Sequence, residues 1–226
     1  MIFPIEQTPL ILPSCFAWYD AFTTPAGSVA SWTDKSGNGF HLTQGTGSAQ
    51  PTCTANTLAG KNVLLFDGGD KLIGPAGMYG ISAGASTAFM VSNSTTAVGR
   101  PILGTAAGLS SYAFRYVSSS LDFVNNGVGL TQAILLPGFT ALDWNIFRGS
   151  RSGTAQAIQR NNGTASTNSL GANVTLDEFQ VGAGPGAANF HTGGIAEIII
   201  YNRLLTAGEM VQINRYLSNK WGIAIS

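Results

Sequence analysis

Apolar and polar residues alternate in short runs along most of the chain, with a period of two. In Tyr112-Ala-Phe-Arg-Tyr-Val117 the residues Tyr112, Phe114 and Tyr116 share one face, because successive side chains of a strand point to opposite sides. Runs at 16–20, 63–66, 88–92, 121–124, 144–148, 156–160, 179–182 and 195–202 predict further strands. Ile195–Ile200 is apolar apart from Glu197. It reads as a central strand buried on both faces, in which Glu197 must find a partner. Asn125-Asn126-Gly127 and Asn161-Asn162-Gly163 have hairpin-turn chemistry, since Asn and Gly tolerate positive φ. Short strands separated by frequent turn signals indicate a sandwich or barrel.

The period changes near the C-terminus. Thr206-Ala-Gly-Glu209 is a capping box, in which Thr caps the first free amides and Glu reaches back. Met210, Ile213 and Leu217 then recur at helical spacing, and Trp221-Gly222 stands where the helix should stop. An amphipathic helix over about 206–219 is expected to lie across the sandwich. The expected fold is therefore all-β, a two-sheet antiparallel β-sandwich with one C-terminal amphipathic helix.

Residues 1–13 depart from both patterns. Pro4, Pro9 and Pro13 interrupt an apolar stretch and favour extended or polyproline geometry. The stretch is expected to be an arm, with the sandwich and its helix occupying 14–226. Ile2, Phe3, Ile5, Leu10, Ile11 and Leu12 would be costly to leave in water. They either form an edge strand of the same domain or dock on a neighbouring subunit.

Composition narrows the classes of partner. Only 10% of the 226 residues are charged, while 44% are hydrophobic and 29 are Gly. Such a chain has enough apolar surface to fold, unlike a disordered polar tract. Eleven basic residues balance eleven acidic ones, and the nearest approach to a basic cluster, Arg148, Arg151 and Arg160, reads as a solvated hairpin. Without a concentrated basic face, nucleic acid is not an expected partner. No run approaches 18 apolar residues, so no membrane insertion is expected. The start has no basic region ahead of its apolar residues, unlike a signal peptide. Cys15 and Cys53 leave a single bridge open but do not make a disulfide scaffold.

Two segments resemble laminin-G-like domains of the concanavalin A-like lectin and glucanase superfamily. The first contains Ala17-Trp-Tyr-Asp20, Trp32-Thr-Asp-Lys-Ser-Gly-Asn-Gly-Phe-His-Leu42, Pro51 and Phe66-Asp-Gly68. The second contains Gly194-Ile-Ala-Glu-Ile-Ile-Ile-Tyr-Asn-Arg-Leu-Leu205, Glu209 and Tyr216-Leu-Ser-Asn-Lys-Trp-Gly-Ile223. The resemblance implies a jelly-roll sandwich, and a fold of this kind hosts many unrelated functions. Read physically, Asp34-Lys-Ser-Gly-Asn-Gly39 is a run of turn formers, and Trp18 and Trp32 are core residues.

Catalytic chemistry is poorly supplied. Related glycosidases carry Glu-x-Asp-x-Glu on a strand, where two carboxylates work as a pair. The four Glu here, Glu6, Glu178, Glu197 and Glu209, do not take that spacing. Two histidines, His41 and His191, and no Gly-x-Ser-x-Gly elbow argue against a triad. Gly182-Ala-Gly-Pro-Gly-Ala187 matches a nucleotide loop in letters only, since no helix start follows to receive a phosphate. Asp67 and Asp70 could give two oxygens to Ca²⁺, which needs six to eight. No catalytic residue and no cofactor is expected.

The expected function is a non-enzymatic structural or adhesion module of a virion, such as a bacteriophage head decoration or tail-attached protein. It would assemble in the host cytoplasm, anchored through the N-terminal arm to other virion proteins or to copies of itself. The alternative is a soluble glycan-binding, lectin-like module, with Tyr79, Phe190 and His191 as weak candidates for contact with a host-surface glycan.

Overall fold

The computed structural model describes residues 8–75, 78, 85–96, 103–104, 111–117, 120–126, 134–136, 142–169, 179–184 and 189–226. In chain order the strands are β1 (Cys15–Asp20), β2 (Gly27–Ser28), β3 (Ser31–Trp32), β4 (Leu42–Thr43), β5 (Thr52–Leu58), β6 (Lys61–Asp67), β7 (Leu72–Ile73), β8 (Ala85–Ser92) and β9 (Leu103–Gly104). They continue with β10 (Ser111–Val117), β11 (Ser120–Asn126), β12 (Ile134–Leu136), β13 (Asn145–Ser152), β14 (Ala155–Arg160), β15 (Ser166–Ser169), β16 (Gln180–Val181) and β17 (Thr192–Tyr201). A single α-helix, α1 (Ala207–Trp221), follows β17. Every period-two run read from the sequence as a strand falls on one of these elements.

The strands form two layers, as expected of a β-sandwich. One is a nine-stranded sheet in the order β15-β14-β13-β8-β17-β6-β5-β2, with β1 also pairing to β17. The other comprises a five-stranded sheet, β3-β4-β7-β16-β9, and a three-stranded sheet, β10-β11-β12. The pairings among the described residues are antiparallel. Trp32, Leu42, Leu72 and Val181 of the five-stranded sheet share one core with Phe114, Tyr116 and Leu121 of the three-stranded sheet. Met90, Phe147, Ile198 and Ile200 of the large sheet close that core from the other side.

β17 lies at the centre because it is apolar on both faces. Ile195, Ile198 and Ile200 enter the core between the layers, whereas Ala196, Ile199 and Tyr201 pack beneath α1. Strict alternation would put Ile195 and Ile198 on opposite faces. An irregularity of register against β8, between Ile195 and Glu197, inserts the extra residue that lets both point inward. Its consequence is that Ala196 and Glu197 both turn toward the helix.

α1 begins at the expected capping box, with Thr206 accepting from the Glu209 amide and Glu209 accepting from the Thr206 amide. It runs to Trp221, slightly further than the sequence pattern indicates, and Gly222 ends it in the left-handed conformation at φ 68°. Met210, Ile213, Leu217 and Trp221 bury its apolar face against Phe89, Val91, Ile146 and Ile199. Arg203 grips both Glu209 oxygens at 2.7 and 2.8 Å, which ties the turn after β17 to the helix start.

The described part of the N-terminal segment folds back on its own domain. Pro9–Ile11 forms one 3-10 turn, where the prolines had suggested extended backbone. Leu12 joins the core under the helix, and the Tyr201 hydroxyl donates to the Pro9 carbonyl at 2.9 Å. Leu10 and Ile11 remain 48% and 51% exposed. Ile2, Phe3 and Ile5 lie outside the described residues.

Candidate functional site

Two polar centres lie on the helix side of the large sheet, one buried and satisfied, the other an open groove. The first surrounds Glu197, which is 0% exposed. Its Oε1 accepts from Trp18 Nε1 at 2.7 Å and from the Tyr216 hydroxyl at 2.8 Å. Its Oε2 accepts from Trp221 Nε1 at 2.6 Å and pairs with Lys220 Nζ at 2.8 Å. Lys220 also pairs with Asp20 at 2.8 Å, and Asp20 pairs with Lys35 at 2.9 Å. Burial raises the Glu197 carboxyl above its ordinary range, while the Lys220 ammonium pulls it back. The partner demanded by Glu197 is thus a set of donors from β1 and α1. Two carboxylates sit near each other here, but both are buried and held by cations, so the cluster fastens helix to sheet and offers nothing to a substrate.

The second centre is an open groove of about 730 Å³ on the same face, beyond the N-terminal end of α1. Arg148, Ser150 and Ser152 of β13, Ala155 and Ala157 of β14, and Thr167 and Ser169 of β15 line it, with Leu204 and Met210 on its flank. Register explains the grouping. Ser150 lies opposite Ala157 and Ser152 opposite Ala155, while Ala157 lies opposite Thr167 and Ala155 opposite Ser169. Directly opposed residues share a face, so hydroxyls alternate with small apolar side chains across three strands. Thr87 fixes the rim by accepting from the Leu205 amide and donating to the Arg203 carbonyl.

Of the two arginines that line this groove, Arg148 and Arg151, Arg148 is the one with a buried nitrogen lacking a partner. It is 9% exposed, its Nε has no hydrogen-bond partner, and no described side chain neutralises it. Desolvation lowers its pKa from the usual arginine value. The expectation of a solvated Arg148, Arg151 and Arg160 hairpin is therefore corrected. Arg151 is buried too, with its Nε donating to the Gly153 carbonyl at 2.8 Å, and Arg160 is half-buried. Proximity in sequence had grouped the three, but alternation sends Arg148 and Arg151 to opposite faces. The apolar run on β8 marks the sheet interior, and β13 pairs directly beside it, away from the sheet edge.

The other candidates fall elsewhere. His191 is fully buried between Tyr116, stacked at 6.0 Å, and Phe66 at 5.9 Å, so it presents no surface to a ligand. Burial lowers its pKa to about 3, and neither ring nitrogen has a hydrogen-bond partner among the described residues. Phe190 beside it is half-buried, and Tyr79 lies outside the described residues. Asp67 and Asp70 close the turn after β6: Asp67 Oδ1 accepts from the Gly69 amide and Asp70 Oδ2 from the Asp67 amide. Among the described residues no three His, Cys, Asp or Glu side chains converge as metal ligands. Asp34 accepts from the amides of Trp18, Ser36 and Phe40, which gives the Asp34–Gly39 turn a structural role. Cys15 and Cys53 are free thiols rather than a bridge.

Comparison with known proteins adds the fold and its breadth. No protein-family model and no curated protein matches the chain. Solved structures do. The receptor-binding domain of the botulinum neurotoxin C/D mosaic serotype superposes with a TM-score of 0.67 at 12% identity, over 89% of this chain and 51% of that one. A Trypanosoma rangeli sialidase gives 0.67 at 14% identity, over 97% of this chain and 36% of that one. The ligand-binding domain of botulinum neurotoxin serotype D, solved with N-acetylneuraminic acid, gives 0.66 at 14% identity, over 89% and 50%. The likeness is one of fold. This chain spans about half of the toxin domains and about a third of the sialidase, both of which contain a β-sandwich of this kind.

Proposed function

We propose that this chain is a non-enzymatic, carbohydrate-binding module of the lectin-like β-sandwich type, and that it binds through the groove over β13, β14 and β15. The observation that carries the reading is the lining: hydroxyls of Ser150, Ser152, Thr167 and Ser169 stand over a floor of Ala155 and Ala157, with no carboxylate among the lining residues. Binding sites of this kind pair an apolar surface with a few fixed polar groups. A glycosidase needs two carboxylates across its substrate, and the groove supplies neither. The resemblance of Trp32–Leu42 and Gly194–Leu205 to laminin-G-like domains, and the sugar-bound toxin structure, fit the same reading.

The test is a glycan array probed with the wild type and with Ala157→Trp, which fills the groove floor. Wild-type binding that is lost in the variant is expected. Wild-type protein that retains no glycan, or a variant that binds undiminished, overturns the reading.

A virion role is a second reading, favoured by Leu10 and Ile11, two adjacent apolar side chains left half-exposed at the edge of the domain. The N-terminal segment would then hold the module on other virion proteins, and the groove would face a host-surface glycan. Leu10→Ser/Ile11→Ser should lower occupancy in the assembled particle while glycan binding persists.

A further inference from the structure

Three described cations beside the large sheet are each paired with an acid, whereas Arg148 is not. Lys35 pairs with Asp20, Lys220 with Asp20 and Glu197, and Arg203 with both oxygens of Glu209. Arg148 is more buried than Lys35 or Arg203, yet among the described residues it has no acid paired with it and its Nε has no acceptor. Burying even part of a guanidinium, here its Nε, without a hydrogen-bond partner is disfavoured. Nothing in the sheet requires it: its cross-strand neighbours are Phe89 and Gln159, and a neutral side chain would serve the packing. The groove beside it is open, and among the described residues no carboxylate lines it.

We infer that Arg148 is the receptor for an anionic group on the bound saccharide, a carboxylate or a sulfate ester, so that the ligand of the groove is an acidic sugar. The inference rests on the carbohydrate-binding reading above. Arginine suits the task because its planar fork matches both oxygens of a carboxylate or sulfate and stays charged when desolvated. Ser150, two residues along the same face and itself buried, lies where a hydroxyl can bond a sugar oxygen next to that anion. The polar edge at Thr167 and Ser169 is left for the neutral hydroxyls of the ring or of the next residue. The recognition is therefore polarised, with charge beneath the end of α1 and neutral hydrogen bonding toward the edge strand.

The probes are 3′-sialyllactose, 3′-sulfolactose, a glucuronate disaccharide and lactose, titrated calorimetrically against the wild type, Arg148→Gln and Arg148→Lys. At least one acidic probe should bind at least about tenfold more tightly than lactose, and Arg148→Gln should abolish that preference. Arg148→Lys should keep part of it, because the charge remains and the fork is lost. The carboxylated and sulfated probes identify which anion the site takes. Arg148→Gln should fold with an unchanged or higher melting temperature, since it removes an unpaired buried charge. In the wild type, the acidic probe but not lactose should slow modification of an arginine by phenylglyoxal, a readout that needs no variant. Binding of lactose as tight as that of its acidic derivatives, indifferent to Arg148→Gln, overturns the inference and leaves the carbohydrate reading standing. Absence of binding to all four probes overturns the acidic-sugar inference, and an empty glycan array overturns both.

Discussion

Replacing Glu197 with glutamine keeps the shape of the side chain and turns one of its two oxygens into a donor. Each oxygen currently accepts from two groups, Oε1 from Trp18 and Tyr216 and Oε2 from Trp221 and Lys220. Whichever oxygen is lost, two donors then face another donor in a dry space. A buried polar group deprived of its partner costs about 1–3 kcal/mol. Lys220 retains Asp20, which limits its share. Glu197→Gln should therefore destabilise the domain by about 3 kcal/mol. In a chain of this length that lowers the melting temperature by roughly 6–12 °C. Urea unfolding followed by tryptophan fluorescence is a direct assay, because Trp18 and Trp221 both touch the carboxylate. In a Lys220→Met background the same substitution should cost about 1–2 kcal/mol less, since one of the stranded donors is already gone. A loss below about 0.5 kcal/mol for Glu197→Gln, or additivity of the two substitutions, would refute the view that this cluster fastens α1 to the sheet.

Three further outcomes follow from other sites. The folded-state pKa of His191, about 3, lies below the ordinary imidazole value of 6.5, so the unfolded chain holds more protons in that window. Stability from the neutral imidazole is complete above about pH 6.5 and is lost as pH falls toward 3, up to about 4–5 kcal/mol. His191→Leu should flatten the pH dependence of the urea midpoint over that range, and an unaltered slope would contradict the buried neutral ring. Gly182→Ala places a Cβ 2.4 Å from Phe66 and 2.8 Å from the Asp70 carbonyl at φ +92°, so it should cost about 3 kcal/mol by chemical denaturation. Burial pushes the Cys15 thiol up to about 12, and Cys53 is buried as well. Ellman's reagent should titrate two thiols after denaturation and react only slowly with the native protein at pH 8.

Periodicity alone determined a great deal. Alternation located the strands, the 206/209 capping box and the 210/213/217 spacing located the helix, and an apolar run interrupted by one carboxylate marked β17 as central. These features are local: a strand or helix face is written in the order of neighbouring residues, and burying it follows from the cost of leaving it in water. The same reasoning recognised that Glu197 must be paired.

Which groups pair with it was decided only in three dimensions. Trp18, Tyr216, Lys220 and Trp221 reach Glu197 from β1 and α1, and a one-residue irregularity in β17 turns the carboxylate toward them. The groove is likewise absent from the sequence, because it depends on three strands lying in register and on α1 beginning where it does. Arg148 and Arg151 are close together in the chain and looked alike. The sheet separates them to opposite faces, giving one a backbone partner and leaving the other buried beside open space, its Nε without a partner among the described residues. Local sequence sets which face a residue occupies, whereas the solvent and counter-charge it meets there are supplied by strands distant in the chain.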